Sequence, residues 1–350
     1  MIFETLRSLS YGELHFGYDV VTGMRAIIAL HSTRLGPAIG GLRVRRYESE
    51  ADAIDDVTRL AQGMTFKNAV AGLRHGGGKS VMLAPDGLDR FTVAERSALF
   101  RSFAHFLHGL GGRYLAAEDS GTSASDMDVV RQVTPHVLGA SRDQGGSGDP
   151  SPFTALGVFR GIEATNHAFF SRSDLVGLHV AIQGVGHVGI HLARLLHKAG
   201  VKLTIADVDP GRLDQVVSET GAKVVSIDAI LETDCDVLAP CAFGGAVTEA
   251  LAPRLRCRAI AGAANNQLRT PAAGDLLMAR GIFYAPDYVI NAGGVINVAQ
   301  EVVGYDESKS TPRVLDIYET IRKIIERSRE EKRNPETIAD QLANEIITRG

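Results

Sequence analysis

The run Gly184-Val185-Gly186-His187-Val188-Gly189 constrains this chain of 350 residues more than any other stretch. Glycines are common at turns, so the pattern means little by itself. Its flanks give it meaning. His179-Val180-Ala181-Ile182-Gln183 precedes it as an apolar strand, and residues 188–199 follow as an amphipathic helix. A second strand, Leu203-Thr204-Ile205-Ala206, then ends in Asp207, eighteen residues past Gly189. This order predicts a βαβ unit that binds a dinucleotide. Gly184 permits the tight turn, Gly186 lets backbone approach the pyrophosphate, and Gly189 lets the helix pack on the strand. Val185, His187 and Val188 complete the turn, whose helix N-terminus offers amide donors and a partial positive charge. Asp207 is placed to accept hydrogen bonds from ribose hydroxyls and to repel a 2′-phosphate, which favours NAD over NADP. Arg212 nearby keeps NADP open.

Around this unit, apolar strands are expected at 179–183, 202–206, 223–226, 236–240, 257–261 and 281–284, with helix-length segments between most of them. Strands alternating with helices predict a parallel, doubly wound sheet covered on both faces. The first 145 residues mix strands (24–31 and 80–84) with helices. Residues 51–64 put Ile54, Val57, Leu60, Ala61 and Met64 on one helical face, and 94–110 do so with Leu99, Phe103, Phe106 and Leu110. Lys67 then emerges near the end of the first helix and Lys79 at a Gly-rich entry into a strand. Gly145-Gly146-Ser147-Gly148-Asp149-Pro150-Ser151-Pro152 is the linker candidate. Beyond about 310 the pattern is helical, with Ile317, Ile321, Ile324 and Ile325 on one stripe and Asn334-Pro335 as a helix start. The expected architecture is α/β with two domains: 1–145 plus the C-terminal helix from about 326 to 350, and a Rossmann domain at 146–325.

A formal net charge of −4 gives no electrostatic reason to expect nucleic acid or an anionic membrane as partner. The first residues lack the regions of a signal peptide, and no apolar run approaches a membrane span. Cys235, Cys241 and Cys257 are odd in number and lie in apolar or strand-like surroundings, which points to reduced thiols in a cytoplasmic protein. No His, Cys and carboxylate cluster has metal-ligand spacing, so no metal site is expected.

Upstream of the glycine turn, Lys67 and Lys79 stand twelve residues apart, the second behind Gly76-Gly77-Gly78. Two lysines ahead of a nicotinamide site suggest one cation for a substrate carboxylate and one amine for proton transfer, as in an amino-acid dehydrogenase. A phosphate-binding P-loop would need glycine at 73, where this chain has leucine. Ordinary surface lysines are the duller reading. It leaves unexplained three successive glycines, which cost backbone entropy and are most useful where something approaches the chain closely.

Several runs, in order, closely resemble the glutamate/leucine/valine/phenylalanine dehydrogenase superfamily. They are Leu35-Gly36-Pro37-Ala38-Ile39-Gly40-Gly41, Gly63-Met64-Thr65-Phe66-Lys67-Asn68-Ala69, Gly76-Gly77-Gly78-Lys79 and Ala117-Glu118-Asp119. Gly262-Ala263-Ala264-Asn265-Asn266-Gln267 and Tyr284-Ala285-Pro286-Asp287-Tyr288-Val289-Ile290-Asn291-Ala292-Gly293-Gly294 continue the match over nearly the whole chain. Within the superfamily the sequence most resembles the bacterial leucine dehydrogenases.

The resemblance implies an N-terminal substrate-binding and oligomerisation domain, an NAD-binding domain and an active site in the cleft between them. By the same match, Lys67 binds the substrate α-carboxylate, Lys79 is the general base, and Asp119 exchanges protons with the substrate amine. A lysine serves near neutral pH when burial and a neighbouring cation favour its uncharged form, and Lys67 is the candidate neighbour. Asp119 could instead cap the following helix, although Thr122 or Ser123 could do so too. Asn266 matches the asparagine near the substrate amine and nicotinamide ribose, with a slip to adjacent Asn265 left open. Thr154 matches a contact to the nicotinamide carboxamide or is a plain N-cap. Gly40 and Gly41 offer backbone groups to substrate or are simply turn glycines.

Where glutamate-using relatives recognise a side-chain carboxylate with a lysine and a serine, this chain has Ile39 and Val298. Ala117 and Val295 are the other pocket positions that the resemblance implies. All four would also serve as ordinary core. As a pocket they are apolar, and burying a carboxylate there without a counter-ion would be strongly unfavourable. The implied activity is NAD-dependent, reversible oxidative deamination of leucine, isoleucine or valine to the 2-oxo acid and ammonia. An aromatic L-amino acid is the first alternative. A hydroxy-acid dehydrogenase and a catalytically silent NAD-binding regulator are others, and the Lys67, Lys79 and Asp119 set fits amine chemistry better. A homo-oligomer, a dimer or larger, is expected.

Overall fold

The computed structural model describes residues 2–8, 12–242 and 244–350. They form two compact units: Met1–Asp149 with Val295–Glu307 and Ala343–Gly350, and Pro150–Gly294 with Ser308–Leu342. The first crossing between units falls within the Gly145–Pro152 stretch. Where the sequence reading gives 326–350 to the first domain, the chain through Leu342 packs with the second unit. Ile338 and Ala339 of that segment are buried, which accounts for the difference. Tyr288 also donates to Asp340 Oδ1 (2.7 Å) within the same unit.

The first unit opens with helix α1 (Ile2–Ser8) and contains strands β1 (Glu13–Asp19), β2 (Met24–Ser32), β3 (Ala38–Arg45), β4 (Gly76–Leu83) and β5 (Tyr114–Glu118). They form one sheet in the order β1-β2-β4-β3-β5. Strand β2 is antiparallel to β1 and β4, while β3 is parallel to β4 and β5. Side chains alternate across the sheet. Ile28, Leu30, Leu42 and Met82 face Leu99, Phe103 and Leu107 of helix α3 (Val93–His108). Ile27, Ala29, Val81 and Leu83 face Ala53, Val57 and Ala61 of helix α2 (Glu50–Val70). A Thr92–Glu95 capping box starts α3, and the Ser49 side chain caps α2.

Gly76, Gly77 and Gly78 lie inside β4, so Lys79 is at mid-strand and not at the strand entry. The glycines obscure the strand in the sequence because they carry no β signal, yet tertiary packing requires them. A Cβ on Gly77 would stand 2.0 Å from the Thr65 amide nitrogen of α2, and one on Gly76 would stand 1.9 Å from the Ser32 carbonyl oxygen. Gly40 and Gly41 are likewise strand residues of β3 and not turn residues; a Cβ on Gly40 would stand 1.8 Å from the Gly78 oxygen.

The second unit holds β6 (His179–Gln183), β7 (Lys202–Ala206), β8 (Lys223–Val224), β9 (Val237–Pro240), β10 (Ala259–Ile260) and β11 (Phe283–Tyr284). All pairings are parallel, in the order β11-β10-β9-β6-β7-β8. The order reverses between β6 and β9, the switch point where open α/β sheets bind ligands. Strands β8, β10 and β11 are shorter than the apolar runs that announce them, since Cys257 and Ile282 are buried beside the sheet without pairing in it. Helix α4 (Ala124–Arg131) follows β5 in the first unit. Helices α5 (Ser151–Phe170), α6 (His187–Lys198), α7 (Pro210–Thr220), α8 (Ile227–Ile230), α9 (Pro271–Ala279) and α10 (Asp287–Ile290) follow. Then come α11 (Gly293–Ala299), α12 (Glu307–Leu315), α13 (Ile317–Glu331) and α14 (Pro335–Arg349). Among the described residues, no helix is long and apolar enough to cross a membrane, and no group of three or more His, Cys, Asp or Glu is arranged to hold a metal ion.

The close approach of α2 to β4 yields a direct test. Gly77→Ala should destabilise the protein by about 1–3 kcal/mol, because the added methyl meets helix backbone that cannot rotate away. A urea midpoint equal to that of the native chain would show that α2 is free to shift outward.

Candidate active site

Strand alternation gathers most of the first unit's expected site residues on one face of its sheet. Lys79 precedes Val81 and Leu83 by two and four positions, so it points to the α2 face with them. Ile39 and Gly41 share that face across the β3–β4 pairing, and Ala117 pairs with Gly41. Asp119 follows the last residue of β5. Its amide donates to Thr122 Oγ1 (2.9 Å), and Val44 of β3 donates to the Ser120 carbonyl (2.9 Å), which ties the loop to the sheet. The helix cap after it is Ser123, not Asp119, so the carboxylate is not consumed by capping.

Lys79 Nζ lies 2.8 Å from Asp119 Oδ2, with only 7% and 20% of the two side chains exposed. Arg43 Nε donates to the same Oδ2 (3.2 Å). Burial pushes the Asp119 carboxyl up, but the Lys79 and Arg43 charges and the Lys79 hydrogen bond outweigh it and hold the group at about 2. Gly41 keeps this pair accessible: a Cβ there would stand 2.6 Å from Asp119 Cβ and 3.2 Å from Lys79 Nζ. Lys67 is half-buried in the last turn of α2. Thr65 before it packs at Gly77, and Asn68 after it donates to the carbonyls of Gly76 (2.6 Å) and Ile39 (3.4 Å). Ile39 is buried and Ala117 half-buried; Val298 is buried and Val295 half-buried on α11. Val295 and Val298 are three residues apart, hence on one side of that helix.

The site also has members that motif reading did not single out. Arg43 follows Gly41 by two residues, so alternation alone could have placed it on the Lys79 face. Tyr114 is fully buried, and its hydroxyl donates to the Gly40 carbonyl (2.6 Å) and lies 3.1 Å from Ser80 Oγ. It fixes the β3 backbone on the sheet's other side, and no local pattern announces it.

In the second unit, Gly184 has φ +91 and Gly186 begins α6 without a side-chain cap, leaving the first amides of a twelve-residue helix to another acceptor. A Cβ on Gly189 would stand 2.1 Å from the Gly184 oxygen, which is the close helix–strand contact expected of the third glycine. Asp207 Oδ2 accepts from the Val185 amide (2.7 Å), and its Oδ1 accepts from the Asp209 amide (2.9 Å). The acid is therefore anchored to the glycine turn. His187 is exposed and Val188 half-buried. Arg212 lies 3.4 Å from the position of a Cβ on Gly186 and pairs with Asp209 (3.3 Å). These residues fit a dinucleotide.

Thr154 is not an N-cap: it lies in the first turn of α5, where its hydroxyl donates to the Pro150 carbonyl (3.1 Å). It sits against Gly294, whose Cβ would come within 2.6 Å of it. Asn265 Oδ1 is held by Asn291 Nδ2 (2.7 Å), whereas exposed Asn266 has φ +51. A non-glycine residue in the left-handed region is uncommon, and the Gly245 amide bond to the Asn266 carbonyl (2.6 Å) fixes it there. Cys235, Cys241 and Cys257 are free thiols, and burial pushes each one up, Cys241 to about 12 and Cys257 to about 11.

Glu118, beside Asp119, responds oppositely to it. Burial, followed by the Asp149, Asp126 and Asp119 charges, pushes its carboxyl up to about 7. A folded-state value above the unfolded one means that its contribution to stability is greatest below about 4.5 and is lost as pH rises through 7. Glu118→Gln should therefore be more stable than the native chain at pH 8–9, with the difference closing towards pH 5. Denaturant unfolding across that range checks this, and a pH-independent difference would contradict it.

Residues 14–136 match the family model for the Glu/Leu/Phe/Val dehydrogenase dimerisation domain, and residues 205–335 match that for glutamate/leucine/phenylalanine/valine dehydrogenase. Leucine dehydrogenase of Geobacillus stearothermophilus is 44% identical over 346 residues, covering 99% of this chain and 93% of that protein. Valine dehydrogenase of Streptomyces albus is 41% identical over 335 residues, covering 93% and 89%. The crystal structure of L-tryptophan dehydrogenase from Nostoc punctiforme superposes with a TM-score of 0.85 at 38% identity, covering 99% of this chain and 98% of that one. With both domains matched and the similarity running the length of the chain, the protein belongs to the glutamate/leucine/phenylalanine/valine dehydrogenase family.

Proposed function

We propose that the protein catalyses the NAD-dependent, reversible oxidative deamination of branched-chain L-amino acids, leucine foremost with isoleucine and valine. The observation that carries this reading is the buried Lys79–Asp119 pair beside Gly41. An amine and a carboxylate 2.8 Å apart, next to a position without a side chain, suit proton traffic on a small amine-bearing substrate. The family and its parallel-sheet domain call for a nicotinamide cofactor, and the Asp207 carboxylate beside the glycine turn supports NAD as the form used.

Lys67 binds the substrate α-carboxylate and so orients Cα. Asp119 takes a proton from the α-ammonium, freeing the nitrogen lone pair. The bound nicotinamide supplies the hydride acceptor. Lys79, as the free amine, then removes a proton from the water that adds to the resulting iminium carbon. Asp119 returns its proton to nitrogen; Lys79, having passed its first proton to solvent, takes the hydroxyl proton as the C–N bond breaks, and ammonia and the 2-oxo acid leave. Asn266 is assigned to the substrate amine, Thr154 to the cofactor, and Gly40 and Gly41 to backbone contacts with substrate.

Ile39, Ala117, Val295 and Val298 form the proposed side-chain pocket; they offer no cation, which favours an aliphatic group over a carboxylate. Aromatic substrates are the second reading. Half-buried Ala117 pairs with Gly41, so two small residues adjoin there, and the Nostoc relative bears the name of an L-tryptophan enzyme. We also assign a homo-oligomer of the cytoplasm. The edge strand β1 carries exposed Phe16 and Tyr18, and the matched N-terminal family domain is described as a dimerisation domain.

Steady-state NAD+ reduction with a panel of L-amino acids tests the substrate assignment: leucine or valine should far exceed glutamate in kcat/KM. Glutamate as best substrate would sink the pocket. Lys67→Ala should mainly raise KM, by the loss of about 1.5–3 kcal/mol of charge-assisted binding. Lys79→Ala should mainly lower kcat, by about 10²–10⁴-fold. Near-normal kcat in Lys79→Ala would remove it as the base. For the cofactor, Asp207→Ala should weaken the preference for NAD+ over NADP+; identical kinetics with both before and after the change would place specificity elsewhere.

A further inference from the structure

Asp119 is shared by two cations, and only one of them has a part in the proposed chemistry. The other, Arg43, is itself held from behind. Its Nη1 donates to Asp56 Oδ2 (3.1 Å) and Oδ1 (3.4 Å), while its Nε reaches Asp119 (3.2 Å). Tyr47 in turn donates its hydroxyl to Asp56 Oδ2 (2.7 Å). The result is a chain of contacts from Lys79 through Asp119, Arg43 and Asp56 to Tyr47, crossing from β4 to the loop after β5, then to β3 and on to α2.

We propose that Arg43 is a positioning residue for the Lys79–Asp119 pair, and that Asp56, braced by Tyr47, fixes the guanidinium so that its fork spans both carboxylates. This rests on the reading of Lys79 and Asp119 as the proton-transfer groups. The geometry favours a dedicated role over incidental pairing. An arginine fork holds two carboxylates in fixed directions, which a lysine cannot do. Only 17% of the Arg43 side chain is exposed, with Asp56 at 26% and Asp119 at 20%, so solvent screens the contacts little. Asp56 and Lys67 lie eleven residues apart on α2, about three helical turns, and therefore on one stripe. The helix that carries the proposed carboxylate-binding lysine thus also carries the brace for Arg43.

The electrostatic consequence follows from the groups around the pair. Lys79 faces Asp119 from β4 and Arg43 from β3, Glu118 precedes it in the chain, and Tyr114 contributes from β5. Arg43 faces Asp56 and Tyr47 in addition to Asp119. Two groups in direct contact titrate as a unit. Removing the Arg43 charge makes that unit hold its proton more tightly. Removing the Asp56 charge leaves the guanidinium to Asp119 and makes the unit release its proton more readily.

The test is the pH dependence of kcat/KM for amino-acid oxidation in the full chain, with NADH titration and melting temperature as controls for folding. Arg43→Gln should move the acid limb to higher pH by about one unit, since the pair loses a cation in direct contact that favours its deprotonated form, and a charge that close shifts a group by about that much or more. Asp56→Asn should move the limb the other way by a smaller amount, and Arg43→Lys should restore part of the limb position without restoring kcat. Opposite displacements are the signature, because a purely structural injury would not change sign between two variants. Coincident limbs, or displacement in one direction for both, would overturn the proposal. Should Arg43→Gln fail to fold, a limb that Asp56→Asn leaves in place or moves to higher pH would overturn it alone. Lys79→Ala in the same series separates the two readings. If it keeps normal kcat, the catalytic assignment falls. If it loses kcat while the Arg43→Gln limb stays in place, only the Arg43 proposal falls.

Discussion

The backbone of α2 lies where a side chain at residue 77 would have to be. With the Thr65 amide nitrogen 2.0 Å from the site of a Cβ on Gly77, helix and strand touch main chain to main chain. The placement of α2 and its side chains against the first unit's sheet depends on that contact. It sets the depth of the last turn of α2, where Asn68 pins the helix to the carbonyls of Gly76 and Ile39. Lys67 is thereby fixed relative to β4, the strand that carries Lys79. The glycine at 41 completes the arrangement by leaving the Lys79–Asp119 pair uncovered. Glycine is thus used at 77 and 41 for opposite ends: at one position to bring backbone in, at the other to keep a side chain out.

Charge is organised with comparable economy. Asp119 is buried enough to suffer from desolvation, yet two cations keep it ionised. Glu118, one residue earlier and without such partners, is pushed up by burial and by its acidic neighbours. Adjacent carboxyls therefore differ in protonation because their surroundings differ, not their chemistry. The second unit takes a different course, using backbone amides where the first uses side chains. Gly184, Gly186 and Gly189 shape the start of α6, and Asp207 is bonded to the turn through the Val185 amide. An anionic ligand there would meet a helix N-terminus free of any competing cap.

The doubly wound sheet was legible in the sequence, because each apolar strand and the helix after it carry their own local period, and the glycine turn between β6 and α6 ties them into one unit. The runs that resemble the family also named Lys67, Lys79 and Asp119, and the structure brings the last two together at 2.8 Å. Local pattern decided little else. Strand β3 was hidden by its two glycines, β5 by its brevity, and β4 was shortened by its glycine start, because propensity records what a residue prefers and not what its neighbours demand. The strand β1 has a half-exposed pattern that gives no clear alternation.

Tertiary structure alone decided which residues meet. Arg43 and Asp56 are thirteen positions apart and neither stands in a recognisable motif, yet strand and helix place them 3.1 Å apart beside Asp119. Tyr114 reaches across from β5 to hold the Gly40 carbonyl, a contact spanning 74 positions. The C-terminal helices through Leu342 pack with the second unit because buried isoleucines and the Tyr288–Asp340 bond hold them there. Sequence determines the local conformations and names the groups that can do chemistry, since both follow from residue type and spacing. Hydrogen bonds and ion pairs depend on distances between segments, and those distances exist only once the sheet and α2 have closed on each other.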